Sequence, residues 1–222
     1  MIPKTIHYCW FGRGDKPKEF KQYLAGFQKL LPDYKVKEWN EDNFDVNFSA
    51  YTREAYGMRS FAHVSDVCRI YALYNEGGIY LDTDVEVLKS FDPFLDNKSF
   101  VGSEDSKLLG TAVIGSEPAQ PWLKAFLDYY KAQHFINPFG HPVRTPNTKI
   151  LTEIILPKID KSLWPAVYPV NFFCGINTDT NQPIVDEDTI TIHHFAASWR
   201  KNKTLKTRII TLFKGLECRY VK

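Results

Sequence analysis

The sequence lacks the cysteine spacing of a zinc site, a membrane-length apolar run and a secretory leader. No two of its four cysteines stand in a C-x-x-C arrangement. A chain of 222 residues does not need disulfides, so we expect free thiols in a reducing compartment. No stretch approaches the roughly 20 apolar residues of a spanning helix. The start, MIPKTIHYCW, has no charged region, apolar run or cleavage site. These absences favour a cytoplasmic protein.

The chain also has little net charge, but the charge is unevenly distributed. Lys and Arg total 28 against 26 Asp and Glu, which gives +2 and does not favour a nucleic-acid partner. Residues 200–222 hold eight basic residues and one acid, and an apolar stripe at helical spacing runs through them: Leu205, Ile209, Leu212, Phe213 and Leu216. Two interpretations stay open for this segment. It is a helix packed on the domain, or a basic amphipathic helix in peripheral contact with the inner face of a membrane.

The hydrophobic pattern predicts alternating strands and helices in a single α/β domain. Strands are expected at residues 2–10, 34–39, 78–81, 85–88, 100–102, 112–115 and 189–195. Helices are expected at 17–31, 61–75, 121–132, 147–156 and 203–216. This alternation favours a mixed, mostly parallel sheet flanked by helices. We therefore predict one domain over residues 1–200, followed by the basic helix at 201–222.

The most informative segment runs from residue 65 to residue 87. Asp82-Thr83-Asp84 follows a short apolar strand, and ligands of open α/β sheets bind at the carboxyl ends of strands. Two carboxylates there suit a hard cation such as Mg²⁺ or Mn²⁺, although an isolated Asp-x-Asp is more often a solvated turn. Asp66 and Arg69 share a helix face three residues apart. They form a structural salt bridge, or they bind the sugar and phosphate of a ligand.

A run of residues at fixed spacing resembles the signature of glycosyltransferase family 32, the DXD-containing sugar-binding group. That group includes mannosyltransferases and many bacterial capsule enzymes. The pattern A-x-x-S-D-x-x-R-x-x-x-L-x-x-x-G-G-x-Y-x-D-x-D is present as Ala62, Ser65, Asp66, Arg69, Leu73, Gly77, Gly78, Tyr80, Asp82 and Asp84. The opening residues, from Ile2 to His7 with Trp10 and Gly12, match as well. So does the ending at His193, His194, Ser198 and Trp199.

The resemblance implies a GT-A (Rossmann-like) fold and transfer of a sugar with retention of anomeric configuration. The donor would be a nucleotide sugar, with a UDP-sugar favoured over GDP-mannose. The acceptor would be a glycan or lipid-linked molecule in surface polysaccharide synthesis. The cofactor would be Mn²⁺ or Mg²⁺. Asp84 would bind the metal directly, and Asp82 would bind the metal or the donor. With Arg69 these form the expected catalytic set, while Asp66 and Arg69 hold the donor sugar.

The resemblance extends the expected donor site to further positions. The first strand and its loop would pass the nucleotide, a tryptophan would stack on the base, two threonines would lie near the sugar, and the chain's late residues would bind the diphosphate. In that order the predicted donor contacts are Tyr8, Trp10, Gly12, Trp39, Thr83, Thr111, Ser198 and Trp199.

One of two adjacent histidines late in the chain, His193 or His194, is expected as a third metal ligand. His193 and His194 are neighbours on a predicted strand, so they point to opposite faces and only one of them can join the aspartates. His194 is favoured because related GT-A enzymes carry a late His followed by an aromatic residue, here Phe195. His193 is the second choice.

Two other function classes compete with the transferase. A metal-dependent phosphohydrolase or nucleotidyltransferase also uses paired aspartates, but it would want a further carboxylate cluster or a glycine-rich phosphate loop, and the sequence has neither. A catalytically weak nucleotide-sugar-binding module is the other alternative. Loss of Arg69 or Asp84 would favour the module, and both residues are present.

Overall fold

The computed structural model describes residues 1–178, 180 and 182–196. The predicted basic helix, together with Ser198 and Trp199, lies outside these residues. The strands are β1 (Thr5–Cys9), β2 (Lys35–Trp39), β3 (Gly78–Leu81), β4 (Val85–Val87), β5 (Ser99–Ser103), β6 (Leu109–Ser116), β7 (Ala166–Tyr168), β8 (Ile176–Asn177), β9 (Gln182–Pro183) and β10 (Thr191–His193). The helices are α1 (Lys18–Leu30), α2 (Ala50–Gly57), α3 (Phe61–Glu76), α4 (Pro121–Lys131), α5 (Asn147–Lys149) and α6 (Val170–Phe173).

A six-stranded mixed sheet forms the centre of the molecule. Its strand order is β2-β1-β3-β6-β5-β7, and only β6 runs against the direction of the others. Apolar side chains cover both faces in two separate buried clusters. Helices α3 and α4 contribute to one cluster, and α1 with α6 to the other. The sheet and its flanking helices confirm the predicted α/β architecture.

Strands β4 and β10 form a separate antiparallel ribbon outside the main sheet. The register pairs Thr191 with Val87 and His193 with Val85. The sequence predicted both segments as strands but did not predict that they pair with each other. This pairing carries the late histidines to the residues that follow β3.

Three helical features differ from the sequence prediction, and one of them is the short helix α6, which was not predicted. Helix α2 was not predicted, although a capping box marks its start: the Ser49 side chain accepts from the Thr52 backbone N–H, and the Thr52 hydroxyl accepts from the Ser49 N–H. The helix predicted over 147–156 is α-helical only in α5 and continues as a π-helix, Ile150–Ile155. Its last turn bonds Leu156 N–H back to the Leu151 carbonyl, just before Pro157, which has no N–H to donate.

The described part of the chain contains three cysteines, and all are free thiols. No helix in that part of the chain is both long enough and apolar enough to span a bilayer. The expected thiol state is therefore seen at Cys9, Cys68 and Cys174, and Cys218 lies outside the described residues.

The turn between α3 and β3 depends on two glycines with positive φ. Gly77 has φ 65° and Gly78 has φ 101°, a region that side chains disfavour. A Cβ on Gly78 would also lie 2.6 Å from the Thr5 carbonyl and 2.8 Å from His7 Nε2. Helix α3 carries Asp66 and Arg69, and Asp82 follows β3. This close turn therefore fixes the distance between α3 and β3.

We expect Gly78→Ala to lower the free energy of unfolding by about 3 kcal/mol or more, since it adds both backbone strain and a backbone clash. Urea denaturation followed by circular dichroism measures the change. Gly26→Ala is the matched control, because Gly26 lies in α1 and a Cβ there has no neighbour within 4 Å. The control should be neutral or slightly stabilising. Equal losses in the two variants would contradict the account of this turn.

Candidate active site

The candidate site begins where β3 leaves the sheet. Asp82 N–H donates to the Ala112 carbonyl at 2.8 Å, which continues the pairing with β6 for one residue. Val85 N–H then donates to the Asp82 carbonyl at 3.1 Å and closes a tight turn. The turn holds Asp82, Thr83 and Asp84 between the sheet and the β4–β10 ribbon, at the carboxyl end of a fully buried strand.

Asp82, Asp84 and His193 come together at this turn. Each offers a ligand atom, and the three atoms lie within 4.8 Å of one another. His193 Nε2 is 3.3 Å from Asp84 Oδ1. The second oxygen, Asp84 Oδ2, accepts a 2.8 Å hydrogen bond from the Ala196 backbone N–H, which fixes the carboxylate orientation. The described residues thus contain a carboxylate–carboxylate–imidazole cluster of the kind that can hold a metal ion.

His194 lies on the other side of the ribbon. Its Nε2 is 2.7 Å from Glu86 Oε2, and its ring stacks on Tyr23 with centroids 5.0 Å apart and planes 3° from parallel. The prediction that His194 joins the aspartates therefore does not match the structure, which places His193 there. The reason is the strand alternation that allowed only one of the two: the β4–β10 register pairs His193 with Val85, the residue after Asp84.

Arg69 is buried and connects three elements of the site. Its Nη2 lies 3.0 Å from Asp66 Oδ1 and 3.1 Å from Asp82 Oδ1. Its Nη1 donates to the Thr111 carbonyl at 2.6 Å. The guanidinium also sits over the Tyr80 ring, 4.7 Å from the centroid, and the Tyr80 hydroxyl donates to Asp82 Oδ1 at 3.0 Å. Asp66 and Arg69 therefore do form a salt bridge, within a network that also includes Asp82, the first aspartate of the Asp-x-Asp pair.

Burial and neighbouring charges move the pKa values of the three carboxyls apart. Burial raises the pKa of Asp66 to about 6, although Arg69 opposes the change. Burial likewise raises the pKa of Asp82, against the lowering effect of Arg69. Burial would also raise the pKa of Asp84, but the charge and hydrogen bond of His193 outweigh it and lower that pKa to about 2. Asp84 is therefore the group that stays ionised most readily.

The first strand and its loop lie beside the site, with their side chains engaged in the fold. The Tyr8 hydroxyl donates to Glu38 at 2.7 Å, and Trp10 stacks on Phe20. Gly12 has φ 93°, and a Cβ there would lie 2.2 Å from the Phe61 ring at the start of α3. The loop thus packs directly against the helix that carries Asp66 and Arg69.

Trp39 does not offer a free ring to a nucleobase. The side chain is buried, and its Nε1 donates to His7 Nδ1 at 3.0 Å. The Lys37 ammonium covers the ring at 4.2 Å from its centroid, and Tyr71 packs edge-on against it. The prediction of base stacking by Trp39 is wrong, because the residue is a core contact between β2 and β1.

The two predicted threonines occupy different surroundings. Thr83 is half-buried in the turn between the aspartates. Thr111 is buried, and its contribution to the network is the carbonyl that accepts from Arg69, not its side chain. The sequence did not predict roles for Tyr80 or Glu86. Tyr80 stands two residues before Asp82, so on the same side of β3, and that spacing was the available signal.

Comparison with known proteins gives results at the level of family, relatives and fold. The family model described as "glycosyltransferase sugar-binding region containing DXD motif" matches residues 17–101. An uncharacterised glycosyltransferase of Acanthamoeba polyphaga mimivirus is 29% identical over 90% of this chain and 84% of its own length. A mannosyl phosphorylinositol ceramide synthase of Saccharomyces cerevisiae is 29% identical over 61% of this chain. The chain spans only 38% of that enzyme's length.

Among solved structures, the PaToxG glycosyltransferase superposes with a TM-score of 0.54 at 17% sequence identity. The match covers 73% of this chain and 72% of that one. At this identity the likeness defines the fold, which is of the GT-A type.

The family-model match and the similar proteins indicate a glycosyltransferase enzyme, and the solved structure gives the fold as GT-A. The family model covers residues 17–101, and the similar proteins include a glycosyltransferase, which confirms the resemblance seen in the sequence.

We expect Asp66→Asn to change the pH dependence of stability in metal-free protein. The folded pKa of Asp66, about 6, lies above its ordinary value of 3.8, so the folded state holds the proton more tightly between these values. Ionisation of Asp66 therefore costs stability as pH rises from about 4 to 6. Over that window the stability of the wild type relative to Asp66→Asn should fall by about 1–3 kcal/mol.

Urea denaturation of both proteins across this pH range, in EDTA, measures the difference. The comparison isolates Asp66 because all other titrating groups are common to the two chains. A difference that stays constant with pH would contradict the assignment.

Proposed function

We propose that this protein transfers a sugar from a nucleoside-diphosphate sugar to a glycan or lipid-linked acceptor, with a divalent cation held by Asp82, Asp84 and His193. The observation that carries the proposal is the meeting of these three side chains beside the buried Arg69 network. The DXD family match supports the donor class, and the resemblance to retaining enzymes supports retention of configuration.

The spacing of His193 and Asp84 fits neighbouring ligands of a six-coordinate cation, and Asp82 lies close enough to be a third. Metal–ligand bonds of about 2.1 Å at right angles place neighbouring ligand atoms about 3 Å apart, and opposite ones about 4 Å apart. The 3.3 Å between His193 Nε2 and Asp84 Oδ1 matches the neighbouring arrangement, and all three atoms lie within 4.8 Å. Carboxylate oxygens suit Mg²⁺ and Mn²⁺, while an imidazole nitrogen favours the softer of these two, Mn²⁺.

The open positions of such a site suit a diphosphate. The side chains of Asp82 and Asp84 remain 25% and 22% exposed, so both are accessible from solvent on one side. A bound cation would act as a Lewis acid that neutralises charge on the leaving diphosphate. Arg69 would hold Asp82 in place, since the salt bridge and the Tyr80 hydroxyl both fix the same oxygen, Oδ1.

The proposed donor and acceptor rest on separate observations. The sequence favours a UDP-sugar. Several similar proteins are named as mannosyltransferases acting on inositol phosphoceramide, which adds GDP-mannose as a donor and a lipid-linked acceptor as a class to be tested. Surface polysaccharide synthesis remains the setting proposed from the family resemblance.

Metal binding is tested without any substrate. We expect the wild-type protein to bind Mn²⁺, as followed by the loss of the free Mn²⁺ signal in electron paramagnetic resonance. Asp84→Asn and His193→Gln should each weaken binding by about 100-fold or more, because each removes a ligand. His194→Gln is the matched control and should bind like the wild type, since His194 contacts Glu86 instead.

The outcome that would overturn the metal assignment is specific. Loss of Mn²⁺ binding in His194→Gln with retention in His193→Gln would reverse the assignment of the two histidines. Absence of binding in the wild type would remove the cation from the proposal.

Donor use is tested by slow hydrolysis of nucleotide sugars in the presence of Mn²⁺. UDP-glucose, UDP-galactose, their N-acetylated forms and GDP-mannose are incubated with the protein, and release of nucleoside diphosphate is measured. We expect release from one donor, abolished by EDTA and reduced about 100-fold or more in Asp84→Asn. Silence from every donor, with no thermal stabilisation by UDP or GDP, would favour the non-catalytic binding module.

A further inference from the structure

A short hairpin far along the chain from the Asp-x-Asp motif presents an exposed aromatic side chain. Phe139 is 85% exposed, more than any other large hydrophobic residue that the structure describes. The exposure does not arise from a loose loop. Asn137 Oδ1 accepts from the N–H groups of Phe139 and His141 at 2.9 and 3.0 Å, and the Asn137 carbonyl accepts from Gly140 at 2.9 Å. A fully hydrogen-bonded turn therefore holds Phe139 outward.

The hairpin is fixed to the body of the domain at its base. Phe135 is buried, with its ring 5.4 Å from Tyr51 and 4.9 Å from His63. The Glu54 carboxylate contacts His134 Nδ1 at 2.7 Å and accepts from Ile136 N–H at 3.0 Å. These contacts tie the start of the hairpin, from His134 to Ile136, to helix α2.

Two further exposed apolar side chains belong to the same end of the molecule. Met58 is 44% exposed and lies one helical turn after Glu54, so it extends from the helix face that holds the hairpin. Val143 is 39% exposed and its N–H donates to the Phe135 carbonyl at 2.7 Å. We call Met58, Phe139 and Val143 the apolar tip.

Basic residues flank the apolar tip along the chain. The segments 53–60 and 131–146 contain four basic residues, Arg53, Arg59, Lys131 and Arg144, and one acid, Glu54, which gives a formal +3. Glu54 is engaged by His134. Arg144 is exposed, and its charge helps to lower the pKa of His63, which places it near the start of α3. The segments that carry the apolar tip are therefore positively charged.

We propose that the apolar tip and its flanking basic residues form a docking surface for an anionic lipid membrane. Aromatic and other apolar side chains insert at the headgroup level of a bilayer, while Arg and Lys pair with anionic lipids, and this surface offers both. A single ring on a rigid hairpin, flanked by basic residues along the chain, matches that interface. The contact involves described residues only and does not depend on the segment 201–222.

The apolar tip is connected to the candidate active site through helix α3. His63, which packs on Phe135, lies three residues before Asp66 on α3, and so on the same helix face one turn away. A bilayer held at the tip would therefore lie at the end of α3 that carries Asp66, on the side from which we expect a lipid-anchored acceptor to approach. The membrane contact stands independently of the proposed function, whereas this consequence rests on it.

The test is co-sedimentation of the full chain with vesicles, without donor or metal. Wild-type protein should bind vesicles of equal parts phosphatidylcholine and phosphatidylglycerol, and bind phosphatidylcholine alone much less. Phe139→Ala should reduce binding to the anionic vesicles about tenfold, since it removes most of the inserted apolar surface. Phe139→Asp should reduce it further. Arg144→Gln should weaken binding to the anionic vesicles and leave the weak binding to phosphatidylcholine vesicles unchanged.

Leu163→Ala is the matched control, because Leu163 is an exposed apolar residue, at 43%, in a different part of the fold. It should bind like the wild type, and urea denaturation should give all variants the same midpoint. If wild-type protein stays in the supernatant, the surface is not a lipid-binding one. If Phe139→Asp binds as tightly as the wild type, the contact lies elsewhere in the chain. Either result overturns the proposal, and neither bears on donor hydrolysis.

Discussion

The candidate site depends on the placement of one buried charge, the guanidinium of Arg69. An arginine inside a protein is costly unless carboxylates and carbonyls satisfy it. Here Asp66, Asp82 and the Thr111 carbonyl do so, and each comes from a different part of the chain. The interaction therefore joins helix α3, the end of strand β3 and strand β6 at one point. Its electrostatic requirement fixes the first aspartate of the Asp-x-Asp pair before any ligand arrives.

The second aspartate is positioned by the β4–β10 ribbon. Asp84 accepts from the Ala196 N–H, and its own carbonyl accepts from the His194 N–H at 2.9 Å. These bonds connect residues more than a hundred positions apart in the chain. The two aspartates also have different side-chain partners: Asp82 contacts the Arg69 guanidinium, and Asp84 contacts the His193 imidazole. Arg69 therefore holds Asp82 in position, while Asp84 and His193 lie 3.3 Å apart in the cluster proposed to hold a cation.

The strong local patterns of the chain were sufficient to predict the fold class and the centre of the site. The apolar strand Gly78–Leu81, the glycine pair before it and the fixed spacing of Asp66 and Arg69 on one helix face all belong to a single segment. Residues close in sequence on regular elements have predictable relative positions. Helix α2 escaped prediction because its apolar pattern is short, and the π-helical stretch escaped because a hydrophobic run does not distinguish helix types.

The sequence by itself determined the α/β alternation, the Asp-x-Asp motif at the end of a buried strand, and the rule that only one of two adjacent histidines faces the aspartates. Only the tertiary structure decided which one. That choice depends on the register between β4 and β10, which long-range hydrogen bonds set and which a shift of one residue would reverse. The same holds for Trp39, an aromatic residue suited to a base in the sequence and a buried core residue in the fold. Whether a side chain is free to bind a ligand depends on what packs against it, and packing partners are not neighbours in sequence.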